Sequence, residues 1–163
     1  MDAELEALAH RVGAALKSHQ SVLAVAESCT GGWIAEVVTS VSGSSEWFDR
    51  GWVTYSNNSK LEMLGVAEDT LHTFGAVSEE VAREMVSGAL ARSHARVALS
   101  VTGIAGPSGG TAQKPVGTVC FAWCLPGQEI ASLTRRFGGD REQVRRQSVV
   151  FALEHLLHRL DVR

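Results

Sequence analysis

The chain has 163 residues, of which 45% are hydrophobic and 20% charged, and its formal net charge is −3 at pH 7. A chain of this length suits a single domain over residues 1–163, which can bury about two-thirds of its unfolded surface without a disulfide or a metal. The sequence lacks the excess of basic residues that nucleic-acid-binding proteins carry, so we expect a small-molecule partner and no nucleic acid.

The cysteines and the N-terminus indicate a cytoplasmic protein. Cys29, Cys120 and Cys124 are odd in number and match no metal or redox motif, which fits a reducing compartment. The chain starts with acidic residues such as Asp2 and Glu4 instead of a basic and then apolar leader. The longest apolar runs are too short to cross a bilayer, so we expect no membrane partner.

Apolar periodicity predicts helices that alternate with strands. In chain order we predict a helix over 3–18, a strand over 21–26, a helix over 33–40, a strand over 51–56, a helix from about 60, a short helix over 70–74, a helix over 79–93, strands over 96–101, 116–125 and 129–137, and a helix from 140 to 160. Helices between the first strands imply parallel pairing, while Pro126-Gly127 predicts an antiparallel hairpin. We therefore expect an α/β fold, a three-layer α/β/α sandwich around a mixed, mostly parallel sheet.

A hydroxyl group is presented where the first strand passes into a helix, in the stretch Glu27-Ser28-Cys29-Thr30-Gly31-Gly32. The two glycines allow a ligand to approach the backbone, and the first N–H groups of the helix face that ligand. A capped glycine turn is the simpler interpretation, and Thr30 is the better candidate for the cap if Ser28 is a nucleophile.

A second strand-to-helix turn carries Tyr55 and Lys60. Only three of the 15 Lys and Arg residues are lysines, and Lys60 lies beside this turn. A lysine buried among apolar walls loses its proton more easily and can then take a proton from a serine hydroxyl. Tyr55 could orient the amine or relay a proton. The alternatives are a solvated lysine and an ordinary half-buried strand aromatic.

A glycine-dense loop over 103–110 follows a third strand and lies next to Thr102. Its backbone N–H groups could hold a phosphate or another anion, although the alternative is a mobile loop. Arg141, Arg145 and Arg146 at the start of the last helix could pair with a phosphate, or simply form a solvated helix face. No histidine lies in these motifs, which disfavours a Ser-His-Asp triad, and we interpret Cys29 as a packing residue.

Five stretches, taken in order, form a string that is more specific than any one of them. They are Glu27-Ser28-Cys29-Thr30-Gly31-Gly32, Gly43-Ser44-Ser45, Gly51-Trp52-Val53-Thr54-Tyr55-Ser56 with Lys60, Gly75-Ala76-Val77-Ser78, and Thr102-Gly103-Ile104-Ala105-Gly106-Pro107 through Lys114-Pro115-Val116-Gly117. Over nearly the whole chain, this string resembles the competence-damage-inducible CinA C-terminal family. Stand-alone members of that family are nicotinamide-nucleotide amidases, which convert nicotinamide mononucleotide to nicotinate mononucleotide and ammonia in pyridine nucleotide salvage.

The resemblance implies Ser28 as nucleophile, Lys60 as general base and Tyr55 as helper, with no metal and no cofactor. It also places Ser45, Thr102 and Arg141 in the substrate pocket. Together with the residues of the two glycine turns, the expected substrate-binding set is Thr30, Gly31, Gly32, Ser45, Thr102, Gly103, Gly106 and Arg141. We expect the substrate to be a pyridine mononucleotide and the protein to be a homo-oligomer, with a dimer favoured.

The expected mechanism passes through an acyl-enzyme on Ser28, with N–H groups of residues 30–32 holding the oxyanion. The rival hypotheses are a non-catalytic nucleotide-binding or interaction module, and an enzyme that prefers another pyridine nucleotide or amide. The distance between Ser28 Oγ and Lys60 Nζ tests the pair, because a separation beyond about 5 Å without a bridging water removes its main support.

Overall fold

The elements follow the predicted alternation of helices and strands. In the computed structural model, which describes residues 2–161, the elements are α1 (Ala3–Ser18), β1 (Leu23–Glu27), α2 (Trp33–Thr39), a 3₁₀ turn (Ser44–Glu46), β2 (Phe48–Val53), α3 (Asn57–Leu64), α4 (Glu68–Phe74), α5 (Glu79–Ala91), β3 (Val97–Gly103), β4 (Thr118–Cys124), β5 (Ala131–Arg136) and α6 (Arg141–Asp161). Among these described residues, no helix combines the length and hydropathy that a membrane crossing requires.

The five strands form one mixed sheet in the order β2-β1-β3-β4-β5. Strand β1 is parallel to both β2 and β3, whereas β4 is antiparallel to β3 and to β5. Four strands therefore run in one direction and only β4 runs against them, which confirms the mixed, mostly parallel sheet and the terminal hairpin.

Helices cover both faces of the sheet, so the three-layer architecture is confirmed. On one face, α1, α2 and α6 pack against large side chains of the strands, such as Leu23, Leu99 and Phe121. On the other face, α3 and α5 pack against small strand residues such as Ala24 and Ala98. Small side chains allow a helix to approach the sheet closely, and that face borders the turn which carries Lys60.

The register brings the ends of three strands to the same edge of the sheet. Glu27 at the end of β1 pairs with Val53 of β2 and with Val101 of β3. Because these strands are parallel, their carboxyl ends face the same way, and ligands of open α/β sheets collect at that edge. The three predicted motif turns therefore meet there.

Two predicted boundaries at this edge are wrong. Strand β2 runs from Phe48 to Val53, three residues earlier than predicted, and α3 begins at Asn57 instead of near residue 60. Ser56 caps α3, since its hydroxyl accepts the Ser59 N–H and the Ser59 hydroxyl accepts the Ser56 N–H. Lys60 therefore lies in the first turn of α3, and its side chain projects from a backbone that the Ser56 cap holds in place.

The caps of α5 and α6 are confirmed. Ser78 accepts the Val81 N–H at the start of α5. At the start of α6, Asp140 and Gln143 form the predicted capping box, with bonds of 2.9 and 2.7 Å. The second of these caps fixes the helix end from which Arg141 and Arg145 project.

Candidate active site

A cavity of about 260 Å³ lies at the carboxyl ends of β1, β2 and β3. It is lined by side chains or backbone of all three motif turns and of the start of α6. The lining residues are Ser28, Cys29, Tyr55, Asn57, Lys60, Ala76, Val77, Thr102, Gly103, Ile104, Ala105, Gly106, Ser108, Gly109 and Arg141.

The structure thus brings together seven of the predicted site residues, namely Ser28, Tyr55, Lys60, Thr102, Gly103, Gly106 and Arg141. It does not bring Thr30, Gly31, Gly32 or Ser45 to the cavity wall. Ser45 is exposed in the 3₁₀ turn that precedes β2, at the opposite end of that strand from Tyr55. For these four residues, substrate binding stays a prediction.

Ser28 and Lys60 are in direct contact. The Lys60 Nζ lies 2.8 Å from the Ser28 Oγ and 2.6 Å from the Thr54 carbonyl oxygen. Ser28 is 7% exposed and Lys60 only 1% exposed. The separation is well inside the limit of about 5 Å set above, and it allows direct proton transfer between the hydroxyl and the amine.

Burial of Lys60 weakens its hold on a proton. Removal of the amine from water lowers the pKa of Lys60 from 10.5 to about 8. Among the residues that the structure describes, no carboxylate contacts Nζ, whose two hydrogen-bond partners are the neutral Ser28 hydroxyl and a backbone carbonyl. A neutral amine is therefore accessible near physiological pH, as a general base requires.

The backbone of Thr54, the residue directly after β2, positions this amine. The Thr54 N–H continues the sheet by donating to the Glu27 carbonyl oxygen at 2.8 Å, and the Thr54 carbonyl oxygen then accepts from Lys60 Nζ. In sequence, Glu27 directly precedes Ser28 and Thr54 directly precedes Tyr55. Strand pairing therefore helps to set the distance between the Ser28 hydroxyl and the Lys60 amine.

Tyr55 has a different partner from the one predicted. Its side chain is 59% exposed, and its hydroxyl accepts a hydrogen bond of 2.7 Å from Arg141 Nη2. Arg141 Nη1 donates to the Gly106 carbonyl oxygen, also at 2.7 Å. The Thr54 carbonyl, and not Tyr55, orients the amine. Tyr55 and Arg141 instead close the cavity by linking the second turn to the glycine loop.

Glu27 is an anchor of the Ser28 turn that the sequence analysis missed. Its carboxylate is 1% exposed and accepts the Thr30 hydroxyl at 2.6 Å, the Ile34 N–H at 2.9 Å and the Ala35 N–H at 3.0 Å. Burial raises the pKa of Glu27, while these donors lower it. The signal that could have found Glu27 is an acidic residue just before a helix N-terminus.

Thr30 is therefore not the cap of α2, and that prediction is wrong. The N-cap position is Gly32, in the left-handed conformation with φ 98°, and it has no side chain to bond the helix. Glu27 provides the acceptor from the end of β1, and the Thr30 hydroxyl donates to Glu27. The glycine is needed because a side chain rarely adopts this backbone conformation.

The backbone donors that this turn leaves unbonded overlap only in part with the predicted oxyanion donors. The Gly31 N–H donates to the Ser28 carbonyl oxygen at 3.0 Å, and the Trp33 N–H to the Thr30 carbonyl oxygen at 3.0 Å. Within residues 2–161, neither Cys29 nor Thr30 donates its N–H to the backbone of another residue. The donors nearest to Ser28 are therefore those of residues 29 and 30, one step earlier in the turn.

Cys29 lines the cavity without being a competing nucleophile. Its thiol is 5% exposed, and burial raises the pKa of Cys29 to about 12. The thiolate is the reactive form of cysteine, and at neutral pH it is almost absent here. This supports its interpretation as a packing residue.

A larger cavity of about 660 Å³ lies beside the first and shares Val77 with it. Neither Ser28 nor Lys60 lines it. Two of its charged side chains already have partners: Glu79 accepts from Ser132 and Thr134, and Lys114 donates to the Phe74 carbonyl oxygen. The smaller cavity is the candidate site because it contains the reactive pair.

The sequence is similar to a family of known proteins. The sequence model of the CinA C-terminal domain matches residues 5–160. The chain is 53% identical over 157 residues to the nicotinamide-nucleotide amidohydrolase PncC of Escherichia coli K12, covering 95% of this chain and 94% of that protein. It is 53% identical over 150 residues to the protein of the same name from Pseudomonas putida, with 92% and 93% covered.

Longer proteins and solved structures are also similar. A putative competence-damage inducible protein of Symbiobacterium thermophilum is 48% identical over 168 residues, which cover 96% of this chain but 39% of that protein. The crystal structure of the competence/damage inducible protein CihA from Agrobacterium tumefaciens superposes with a TM-score of 0.94 at 44% identity, covering 99% of this chain and 98% of that one. On the match over residues 5–160 and these identities, the chain belongs to the CinA C-terminal domain family.

Proposed function

We propose that this protein is a nicotinamide-nucleotide amidohydrolase that converts nicotinamide mononucleotide to nicotinate mononucleotide and ammonia. The observation that carries the proposal is the 2.8 Å contact between Ser28 Oγ and a Lys60 amine whose pKa is lowered to about 8. The activity named for the relatives that are 53% identical supports the same reaction.

The first half of the proposed reaction forms an acyl-enzyme. Neutral Lys60 takes the proton of the Ser28 hydroxyl as Oγ attacks the carboxamide carbon. The carbonyl oxygen becomes an oxyanion, which the N–H groups of residues 29 and 30 stabilise. The C–N bond then breaks, and the Lys60 ammonium returns its proton to the departing nitrogen, which leaves as ammonia.

The second half regenerates the enzyme. Lys60, again neutral, accepts a proton from a water molecule that attacks the ester carbon. A second tetrahedral oxyanion collapses, the bond to Ser28 Oγ breaks, and the Lys60 ammonium protonates that oxygen. The carboxylic acid formed gives its remaining proton to solvent and leaves as the nicotinate carboxylate. One amine thus serves as base and acid in each half-reaction, so no second titrating side chain is needed.

We propose that Arg141 and the glycine loop bind the substrate phosphate. Arg141 lines the cavity together with Gly103, Gly106 and Gly109. A guanidinium presents several donors in a fixed plane and pairs well with phosphate. Its contacts with Tyr55 and Gly106 hold its guanidinium at the cavity wall.

The decisive experiment measures ammonia release from nicotinamide mononucleotide by the wild-type protein and by Ser28→Ala and Lys60→Met. We expect both variants to lose almost all activity, because the nucleophile and its base act as a unit. A non-catalytic binding module would bind the nucleotide without releasing ammonia. Near-normal activity of Ser28→Ala would show that the scheme is wrong.

A panel of amides tests the substrate. We expect nicotinamide mononucleotide to be hydrolysed faster at low concentration than nicotinamide riboside and free nicotinamide, since only the first carries the phosphate. A preference for an amide without phosphate would instead favour the rival enzyme hypothesis. We further propose a single-domain, cytoplasmic homodimer, which light scattering and cell fractionation test directly.

A further inference from the structure

Arg145 reaches from α6 to the turn that carries Ser28. Its Nε donates to the Cys29 carbonyl oxygen and its Nη2 to the Thr30 carbonyl oxygen, both at 3.1 Å. Its guanidinium lies 5.5 Å from the centre of the Trp33 ring, in a cation–π contact. One half-buried side chain therefore touches three of the five residues that follow Ser28.

The packing around this guanidinium is close. A Cβ on Gly31 would lie 3.2 Å from Arg145 Nη2, so the glycine leaves room for the arginine as well as adopting a positive φ of 61°. Arg145 is not among the residues that line the cavity with Ser28. It lies behind the turn and contacts backbone that no other arginine of the described chain contacts.

These contacts fix the direction of two peptide planes. In a trans peptide the carbonyl and the following N–H point in opposite directions, and the 29–30 and 30–31 peptides are trans. With the Cys29 and Thr30 carbonyls held on Arg145, the N–H groups of Thr30 and Gly31 point away from it. The Gly31 N–H indeed meets the Ser28 carbonyl oxygen at 3.0 Å, on the side of the turn that faces away from Arg145.

We propose that Arg145 is a positioning residue for the oxyanion donors: by holding the carbonyls of Cys29 and Thr30 behind the turn, it directs the Thr30 N–H toward the oxygen of the reacting carbonyl. The inference rests on the proposed amidohydrolase function. Arg145 acts through the turn and does not touch the substrate. Its loss lets the peptide planes rotate, which weakens stabilisation of the transition state and leaves substrate binding unchanged.

The chain offers a matched control in the next residue. Arg146 belongs to the same helix turn and carries the same charge, but its guanidinium pairs with Asp2 at 2.7 Å and Glu4 at 3.2 Å, away from the turn. We compare Arg145→Met, Arg145→Lys and Arg146→Met in steady-state ammonia release from nicotinamide mononucleotide. Ser28→Ala and the thermal unfolding of every variant are measured alongside.

We expect Arg145→Met to lower kcat about 10- to 100-fold, somewhat less than the loss of a whole oxyanion donor, with KM changed less than about twofold. Arg145→Lys should recover part of kcat, because one ammonium can reach one of the two carbonyls. Arg146→Met should keep wild-type kcat and KM. If Arg145→Met does not fold, Arg145→Lys is compared with Arg146→Lys, and a lower kcat at unchanged KM in Arg145→Lys alone supports the inference.

Two results would overturn the inference. A rise in KM at constant kcat would make Arg145 a substrate ligand, and equal kcat for Arg145→Met and Arg146→Met would leave it no role in the turn. Either result is distinct from failure of the proposed function, which would appear as a wild-type protein no more active than Ser28→Ala.

Discussion

The titration of Lys60 has two measurable consequences: a pH dependence of the activity and a pH dependence of the stability. With its pKa lowered from 10.5 to about 8, about one amine in eleven is neutral at pH 7, against about one in three thousand for an ordinary lysine. Between pH 6 and pH 9 the neutral fraction rises from about 1% to about 90%. We expect kcat/KM to rise nearly in proportion, about 90-fold, with an inflection near pH 8.

The same titration affects folding. The folded pKa of about 8 lies below the unfolded value of 10.5, so between these values the unfolded chain binds more protons than the folded one. The free energy of unfolding therefore gains a contribution that rises with pH over this window, by about 3 kcal/mol at about 1.36 kcal/mol per pKa unit. Below pH 8 the folded protein bears the full cost of the buried amine.

Lys60→Met isolates this contribution. Relative to the variant, the wild-type protein should gain about 3 kcal/mol of stability between pH 7 and pH 10.5, measured by urea unfolding at each pH. The difference between the two proteins cancels the titration of other groups. At pH 7 the variant should be nearly as stable as the wild type, since relief of the buried charge offsets the unpaired Thr54 carbonyl, which costs about 1–3 kcal/mol.

The activity profile needs its own control, because a substrate phosphate titrates near pH 6. Nicotinamide riboside lacks that group, so an inflection near pH 8 with both substrates belongs to the enzyme. A profile that is flat between pH 6 and pH 9, or one that inflects only above pH 10, would falsify the assignment of Lys60 as the general base. Equal pH dependence of unfolding in wild type and Lys60→Met would contradict the stability argument.

Three further predictions concern other residues. Thr30→Val removes a buried hydrogen bond to the Glu27 carboxylate and should lower the free energy of unfolding by about 1.5–3 kcal/mol without changing KM. A raised KM at unchanged stability would instead support the predicted role of Thr30 in substrate binding. Arg141→Met should raise KM for nicotinamide mononucleotide about tenfold or more and leave that for the riboside unchanged, and an equal rise for both would exclude a phosphate contact. Burial, together with the charges of Arg159, His158 and Arg135, lowers the pKa of His155 to about 4, so thermal stability should fall as the pH drops from 6.5 toward 4. His155→Phe should flatten that fall. An unchanged fall in the variant would show that the acid sensitivity arises at another group.

Much of the site could be predicted because its residues follow strands at one edge of a parallel sheet. Ser28 and Lys60 come from turns that are 32 residues apart in sequence, yet the alternation of strand and helix already brings both turns to that edge. The scarcity of lysine drew attention to Lys60. The sequence pattern does not predict that Lys60 is buried, because a lysine in the first turn of a helix is usually solvated.

The missed features depend on contacts between distant residues or on an atypical strand. Strand β2 is a sheet edge with the polar residues Asp49 and Arg50 near its start, so its apolar pattern begins too late. In the sequence, Glu27 is an ordinary polar residue at the end of a strand. In the fold, the turn brings the N–H groups of α2 onto its carboxylate. Local propensity favours a hydroxyl cap in such a turn, and the buried acid displaces it.

The same burial acts in opposite directions on the two ionisable neighbours of Ser28. It lowers the pKa of Lys60 to about 8 and raises the pKa of Cys29 to about 12, because each group loses the water that stabilises its charged form. At neutral pH the amine can therefore be free of its proton while the thiol keeps its own. In the proposed mechanism this difference favours serine over the adjacent cysteine, although thiols are stronger nucleophiles, because the serine hydroxyl contacts the Lys60 amine.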